Sequence, residues 1–322
     1  MKNGAEKTQY YPLVVISDLH LGIKRNGVDA LYEFLLHTKC KKLVLLGDII
    51  DGERRNHAAA RPFPASHARI IDLIHRKIAD EGMEATYIPG NHDAALRGMK
   101  LYGKEILPGV TLRKSLDIVT PQGKKIHLCH GDRFDNYLKK TDKLPPRLRT
   151  FAMNLYLDFF SASARLDKII FPRLKCHFQL ATRVQTAIET LRGCRKAFRN
   201  RAARFAKKRG YDGIVVGHNH ISALRDVNGV MYANTGDGIE NITGIAMTAE
   251  GAWKRLDWLS DRKALGIKTH FNMQAAPMDF LPVTKAAIAL IEHIWPGKGG
   301  SPQAANDAAP RNNKVSISAP SW

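Results

Sequence analysis

Paired cysteines and long apolar runs are both missing from this chain. Its 322 residues include four cysteines, and their spacing suggests neither a disulfide framework nor a zinc cluster, so we expect a reducing compartment. No uncharged apolar run approaches the ~20 residues that cross a bilayer. The first residues lack the apolar stretch of a signal peptide. We therefore expect a protein that is soluble or lies on a membrane surface.

Acidic residues are also scarce, with 30 Asp and Glu against 50 Lys and Arg, which leaves a net charge of +20. Such an excess predicts an anionic partner: nucleic acid, a phosphorylated ligand or an acidic membrane surface. Residues 136–209 hold 19 Lys and Arg but only 4 Asp and Glu. Apolar residues recur there at helical spacing, which predicts a helical basic insertion. Two interpretations stay open: a solvated helix packed on the core, or a lid that meets anionic lipid or substrate.

The chain is rich in short apolar runs that end in polar residues. Runs without alternation are typical of strands buried on both faces of a parallel sheet, and they are found at residues 13–16, 43–46, 85–88, 126–129 and 214–216. Helical periodicity predicts helices over 27–38 and 66–81, between the first three strands. Residues 52–65 are polar and contain two prolines, so we interpret them as a loop. Later strands are expected at 230–233, 242–248 and 252–258, the last two antiparallel, with a helix near 285–295.

Each of the five apolar runs is followed by residues that bind metals. Asp18 and His20 lie two apart, so both side chains point the same way if the backbone stays extended, and His218 and His220 repeat this spacing. Ligands collect beyond the carboxyl ends of parallel strands, so we expect these side chains to converge. The full set of candidate ligands is Asp18, His20, Asp48, Asn91, His130, His218 and His220.

Oxygen and nitrogen ligands without thiolates suit borderline divalent metals such as Mn, Fe or Zn. Seven ligands that share one carboxylate fit two ions better than one. Two ions about 3.5–4 Å apart clamp the attacking and leaving oxygens of a displacement and lower the pKa of bound water to about 7. Phosphate esters are the expected substrates, because cations stabilise their negative charge. Taken alone, Asn91-His92-Asp93 after Pro-Gly favours an ordinary turn, because Asn and Asp favour turns in any case.

Together these blocks resemble the calcineurin-like metallophosphoesterases over residues 13–258, through Asp-x-His, Gly-Asp-x-x-Asp, Gly-Asn-His-Asp, His-Gly-Asp and Gly-His-x-His. The resemblance implies an α/β fold, a four-layer α/β/β/α sandwich with a dinuclear site at the sheet edge. One ion would be held by Asp18, His20, Asp48 and His220, and the other by Asp48, Asn91, His130 and His218. It also implies a bridging hydroxide as nucleophile, His92 as the group that stabilises the transition state or protonates the leaving oxygen, and Asp93 as its orienting carboxylate.

Within that family, residues 47–52, 130–135 and 234–237 resemble the UDP-2,3-diacylglucosamine diphosphatase branch, and the basic insertion takes the place of its lid. This implies hydrolysis of the pyrophosphate of a nucleotide-linked diacyl sugar in lipid A biosynthesis, with Mn as the first choice of metal. The location implied is the cytoplasmic face of the inner membrane. Arg133, Asn234 and Asp237 would contact the substrate. Well-defined members carry arginine where this chain has His92, so the exact substrate stays open.

The predicted organisation is a core of residues 1–135 and 210–260, a lid of 136–209, a C-terminal extension of 261–297, and a disordered tail of 298–322. Two rival functions remain. One is a nuclease, or a soluble phosphomonoesterase or phosphodiesterase of the same fold. Nucleic acid is the less favoured partner, because the insertion shows no interleaved aromatic pattern for base stacking. The other is a scaffold that has lost its metals, although every ligand block is intact. Nothing in the sequence indicates an oligomeric state.

Overall fold

The computed structural model describes residues 8–22, 27–57, 61–99, 102–135, 194–267 and 279–297. Their helices are α1 (Val28–His37), α2 (Gly52–His57), α3 (Ala65–Glu81), α4 (Cys194–Lys208), α5 (Trp258–Ala264) and α6 (Pro282–Ile294). Their strands are β1 (Gln9–Ile16), β2 (Thr38–Leu45), β3 (Glu84–Tyr87), β4 (Glu105–Leu107), β5 (Val110–Leu112), β6 (Leu116–Val119), β7 (Lys125–Leu128), β8 (Gly213–Val216), β9 (Ala223–Asp226), β10 (Met231–Asn234), β11 (Thr243–Met247) and β12 (Trp253–Asp257). Predicted features within 136–193 and 298–322 lie outside these ranges.

Two sheets form the centre of the molecule. The first has the strand order β12-β11-β1-β2-β3-β5-β4, and the second β6-β7-β8-β10-β9. Strands β1, β2 and β3 run parallel as neighbours, and so do β7 and β8 in the second sheet. The predicted antiparallel pair β11 and β12 is confirmed at the edge of the first sheet. All five ligand-bearing strands are therefore adjacent to another of the set.

Alternation along the strands divides the core into three apolar layers. Leu13 and Val15 of β1 face the second sheet, whereas Val14 and Ile16 face the helices α1 and α3. On the far side of the second sheet, the apolar face of α4 packs against β8 and β10. The result is the predicted four-layer sandwich of helices, sheet, sheet and helix.

Helix α4 belongs to the sandwich, although its residues fall within the predicted lid. Phe198, Ala202 and Ala206 are buried against Val216 and Tyr232 of the second sheet. Its basic side chains lie on the other faces of the helix. For this segment the structure therefore favours the interpretation of a basic helix packed on the core by its apolar stripe.

The prediction of a loop at residues 52–65 is wrong in part, because helix α2 occupies the first six of these residues. The Asp51 side chain accepts a hydrogen bond from the Arg54 amide at 3.3 Å, and so caps the start of this helix. The predicted C-terminal helix is present as α6, which packs against α3. Trp295, directly after it, is buried against Gly52 at the start of α2.

Candidate metal centre

The carboxyl ends of β1, β2 and β3 meet those of β7 and β8 across the gap between the sheets. The Asp18 carboxylate accepts a hydrogen bond from the His218 amide at 3.0 Å. From the second sheet, His130 Nδ1 donates to the Leu46 carbonyl of the first sheet at 2.9 Å. These bonds fix the two sheet edges relative to each other. The convergence expected from parallel strands therefore extends across both sheets.

Five of the candidate ligands have a left-handed backbone. The φ angles are 55° for Asp18, 45° for His20, 54° for Asp48, 73° for His218 and 56° for His220. Asp and His tolerate this region better than most residues, but it still costs free energy and clusters at functional sites. Asp18 and His20 therefore converge through a tight turn and not, as predicted, through an extended strand end.

The ligand atoms form three groups among the described residues, and within each group they lie within 4.8 Å of one another. The groups are Asp18, His20 and His220; His20, Asp51 and His92; and Asp48, His130 and His218. The first and third groups each hold three of the four ligands predicted for one ion. The second group was not predicted, and it introduces Asp51.

Asn91 joins the third group by hydrogen bonds. Its Oδ1 lies 3.0 Å from His218 Nδ1 and 3.3 Å from His130 Nε2. His130 Nε2 is also 3.2 Å from the Asp48 carboxylate. The structure thus brings Asp48, Asn91, His130 and His218 together, as the sequence predicted. Whether Asp48 bridges two ions stays a prediction.

Two buried polar atoms of the first group lack a hydrogen-bond partner among the described residues: Asp18 Oδ1 and His20 Nε2. The first lies 3.3 Å from His220 Nε2, but without the geometry of a hydrogen bond. An unsatisfied buried polar atom costs roughly 1–3 kcal/mol, so such atoms call for a ligand. A divalent cation bound by oxygen and imidazole nitrogen would satisfy both. The residues present therefore fit the metal that the ligand pattern predicts.

Protonated histidines neutralise the buried carboxylates when no cation is bound. Burial raises the pKa of Asp48, but the charges of His130, His92 and His20 hold that pKa well below its usual range. Burial lowers the pKa of His130, but the carboxylates, Asp48 first, raise that pKa to about 10. In the same way Asp51 and Asp48 raise the pKa of His92 to about 9. A cation would displace the proton of His130, because metal ligands bind deprotonated.

Asp51, not Asp93, orients His92. The Nδ1 atom of His92 lies 3.1 Å from Asp51 Oδ1, while the other Asp51 oxygen lies 3.1 Å from His20 Nδ1. A carboxylate so placed fixes the ring orientation of both histidines and leaves each Nε2 free for chemistry. Asp51 is the last residue of the Gly-Asp-x-x-Asp block, and the sequence assigned no role to it. In the sequence, the only indication was that Asp51 lies three residues after the candidate ligand Asp48. That spacing does not predict a contact with His92.

Asp93 holds the backbone around the site instead. Its carboxylate accepts hydrogen bonds from the Tyr87 hydroxyl at 2.6 Å and from the Ile49 amide at 3.0 Å, and also from the Gly90 amide. The predicted role of Asp93 as the orienting group of His92 is therefore wrong. Its burial is complete, and it fastens the loop after β3 to the loop after β2.

The three residues predicted to contact substrate also make contacts within the protein. The Arg133 guanidinium lies over the Phe205 ring of α4, 3.9 Å from its centroid. Asn234 donates to the Gly217 carbonyl at 2.8 Å and thereby supports the turn that carries His218. The Asp237 carboxylate accepts bonds from the amides of residues 239–241. The predicted role of Arg133, Asn234 and Asp237 in binding substrate stays a prediction.

One ion pair that the sequence did not reveal closes the rim of the site. Arg97 contacts both carboxylate oxygens of Asp132, at 2.8 and 3.1 Å. The same guanidinium donates to the Pro89 carbonyl at 3.0 Å, so it joins the loop of Asn91 to the loop of His130. A two-pronged arginine–carboxylate pair fixes orientation as well as distance.

Known proteins resemble this chain to different extents. The calcineurin-like phosphoesterase family model matches residues 11–222. UDP-2,3-diacylglucosamine hydrolases of Haemophilus influenzae strain Rd and Histophilus somni strain 2336 are 32% and 28% identical over 125 and 122 residues. Each match covers 36% of this chain and 47% of the relative, so the chain spans about half the length of these curated relatives.

Among solved structures, an archaeal phosphodiesterase is 12% identical, with a TM-score of 0.36, over 76% of this chain and 98% of its own. At this identity and TM-score, the likeness supports no conclusion about function. The family model, in contrast, covers about two thirds of the sequence and includes all seven candidate ligands. This chain belongs to the calcineurin-like phosphoesterase family.

Proposed function

We propose that this protein hydrolyses the pyrophosphate bond of a UDP-diacylglucosamine-like lipid precursor, as a step of lipid A biosynthesis. The observation that carries the proposal is the convergence of three His and Asp groups at one edge of the two sheets. Two divalent cations, Mn²⁺ first and Fe or Zn as alternatives, would be held there by the seven ligands. When bound, such ions supply an activated water and stabilise the charge on the phosphoryl oxygens.

His92 is placed to act on the leaving group. Asp51 holds its Nδ1 side, so that Nε2 is the atom left to donate a proton. Hydrolysis then adds water across one P–O bond of the pyrophosphate. The products are UMP and the lipid sugar phosphate, and the proton from His92 goes to the departing oxygen.

Two observations support the substrate class. The relatives that match are named for UDP-2,3-diacylglucosamine, and both a nucleotide pyrophosphate and a lipid surface are anionic. The net charge of +20 suits either. Among the described residues, none of the helices has the length and apolarity of a membrane span. We place the enzyme at the cytoplasmic face of the inner membrane, held there by its basic surface.

A hydrolysis screen with Mn²⁺ tests the proposal. The substrates are a UDP-diacylglucosamine, a UDP-sugar without acyl chains, bis(p-nitrophenyl) phosphate, and DNA in single and double strands, with products identified by mass. We expect UMP and the diacyl sugar phosphate from the first substrate at the highest kcat/KM. Equal rates with and without acyl chains would contradict the lipid assignment.

The alternative is a nuclease, or a soluble phosphomonoesterase or phosphodiesterase of the same fold. The specific observation in its favour is the positive charge, since cationic surfaces bind the phosphate backbone. Cleavage of either form of DNA faster than of the lipid would establish this alternative in the same screen.

A further inference from the structure

Helix α2 lies between the candidate metal centre and Trp295, near the C-terminal end of the described residues. It begins one residue after Asp51, and the Glu53 amide donates to the His92 carbonyl at 3.1 Å. The Arg54 amide and guanidinium both contact the Asp51 carboxylate, at 3.3 and 3.5 Å. A shift of α2 would therefore displace both members of the Asp51–His92 pair.

Residues 279–295, here called the C-terminal strap, press on α2 from outside. The ring of Trp295 is 2% exposed and occupies the space that a side chain on Gly52 would need. Gly52 thus gives close approach between the Trp295 ring and the first turn of α2. The strap begins 57 residues after the last residue matched by the family model, so this contact is supplied from outside that range.

Arg55 ties the strap to α2 and to the loop that follows His20. Its Nε donates to the Trp295 carbonyl at 3.3 Å, and its two Nη atoms reach the Gly22 and Arg61 carbonyls at 3.4 and 3.3 Å. The side chain is buried, and its guanidinium lies over the Phe63 ring. Such a buried arginine fixes the relative positions of all the segments that it contacts.

The strap is itself anchored along α3. Asp72 accepts from the Leu281 amide at 2.9 Å, His75 Nδ1 lies 3.0 Å from the Thr284 hydroxyl, and Arg76 donates to the Asp279 carbonyl at 3.0 Å. A further bond runs from the Phe63 amide to the Glu292 carboxylate at 2.7 Å. The position of Trp295 is thereby set by the rigid core, independently of the loops that carry the ligands.

We propose that Trp295 and Arg55 are positioning residues that hold α2, and through it the Asp51–His92 pair, in the geometry needed for hydrolysis. The strap then supports the site from outside residues 11–222, the range that the family model matches. This inference rests on the proposed role of His92. It assigns no contact with the substrate to Trp295 or Arg55, so their effect belongs in kcat more than in KM.

A double-mutant cycle with Mn²⁺ and bis(p-nitrophenyl) phosphate tests this link. We expect Trp295→Ala to lower kcat about 10-fold, in the range of lost orienting partners of active-site histidines, with KM little changed. In the His92→Gln background the same substitution should have almost no further effect, and Trp295→Phe should restore most of the activity. Equal losses in both backgrounds would overturn the proposal.

Trp258→Ala is the matched control, because Trp258 is also 2% exposed but stacks on His37 of α1. It removes a similar volume from the core, and kcat should stay near the wild-type value. A comparable fall in kcat would show that loss of stability alone explains the Trp295 result, and would overturn the proposal.

Hydrogen exchange gives a readout that needs neither metal nor activity. Trp295→Ala and Arg55→Lys should each speed exchange of the Glu53 amide in the metal-free protein, whereas Trp258→Ala should not. Unchanged protection of Glu53 in both variants would overturn the proposal. If the wild-type protein hydrolyses none of the phosphate substrates, the proposed function fails, and the exchange measurement still decides whether the strap holds α2.

Discussion

At the residue scale, several histidines of the site have one ring nitrogen hydrogen-bonded to another group of the protein. Asp51 holds His20 and His92 with its two oxygens, and Leu46 fixes His130 through its carbonyl. Each ring therefore presents one chosen nitrogen toward the centre. Partners of this kind determine the orientation and basicity of metal ligands nearly as much as the ligands themselves do.

Asp48→Asn should abolish metal-dependent hydrolysis. It removes the carboxylate at the centre of the third group, and we expect a loss greater than the roughly 100-fold upper range for an orienting partner. The measurement is metal content by elemental analysis, together with kcat/KM in Mn²⁺. Glu33→Gln, which makes the same chemical change at a carboxylate on α1 that is 4% exposed, should keep both. Unaltered metal content and activity in Asp48→Asn would refute the site.

Asp51→Asn and Asp93→Asn should differ in kind. The first weakens the contacts of Asp51 with His92 and His20 and should lower kcat by about 10–100-fold as its main effect. The second replaces one acceptor oxygen by an NH2 group that faces N–H or O–H donors at a fully buried position, so it breaks at least one of three hydrogen bonds and should mainly lower the free energy of unfolding. Urea unfolding and steady-state kinetics on both variants make the comparison. The reverse pattern would restore Asp93 as the orienting residue.

At the element scale, the sequence predicted the strands and helices that have a local apolar pattern, and it missed those that depend on contacts with distant segments. Strand-length apolar runs that end in Asp or His revealed β1, β2, β3, β7 and β8 and the ligands that follow them. Helix α2 escaped, because its six polar residues have no apolar periodicity and are stabilised by Asp51 and Trp295, which are distant in sequence from each other. The partner of His92 escaped for the same reason: contacts across segments leave no periodic trace.

Acid should loosen the attachment of α6 to α3. Burial raises the pKa of Asp72, but the hydrogen bonds from the Leu281 amide, Arg76 and Thr284 outweigh it and hold that pKa below its usual range. The folded pKa is thus below the unfolded one, so this stabilisation is complete above about pH 4 and is lost as pH falls through the folded pKa. Asp72→Asn should cost about 1 kcal/mol at neutral pH, measured by urea unfolding. The difference from wild type should shrink as pH falls below about 4, through the folded pKa of Asp72; a constant difference would contradict this assignment.

Helix α4 should behave as a layer of the core. Ala206 is fully buried against the second sheet, so Ala206→Leu should overpack that contact and cost about 1–3 kcal/mol. Arg204→Leu, two residues earlier on the exposed face, should stay within about 0.5 kcal/mol of wild type. Denaturant unfolding distinguishes the two. Equal, small effects would mean that α4 is not held against the sheet in solution.

At the scale of the whole molecule, the four-layer sandwich positions the candidate metal ligands. Three apolar layers stabilise the two sheets, and the bonds from His130 and His218 across the gap bring their ligand-bearing ends into register. The four layers were predicted from the resemblance to the family; the order of strands and helices by itself predicted only strand–helix–strand units in a parallel sheet. The sequence could not divide the strands between two sheets from periodicity alone, since strands of both sheets are buried in the same manner.

Vesicle binding should depend steeply on salt. The charge of +20 should hold the protein on vesicles that contain anionic lipid at about 0.01 M salt and release it at about 1 M, where the Debye length falls to about 3 Å. Cosedimentation measures the bound fraction, with neutral phosphatidylcholine vesicles as the control. Binding that persists at high salt would indicate apolar insertion instead of charge.

The left-handed backbone at Asp18, His20, Asp48, His218 and His220 also limits how the site can change. Of the usual metal-binding side chains, only aspartate, asparagine and histidine are well tolerated at such angles; cysteine and glutamate would meet steric cost before any question of affinity arose. Evolution along this lineage can therefore exchange oxygen for imidazole with little penalty. A switch to thiolate coordination, and to the softer metals that it favours, would first require the turns themselves to be rebuilt.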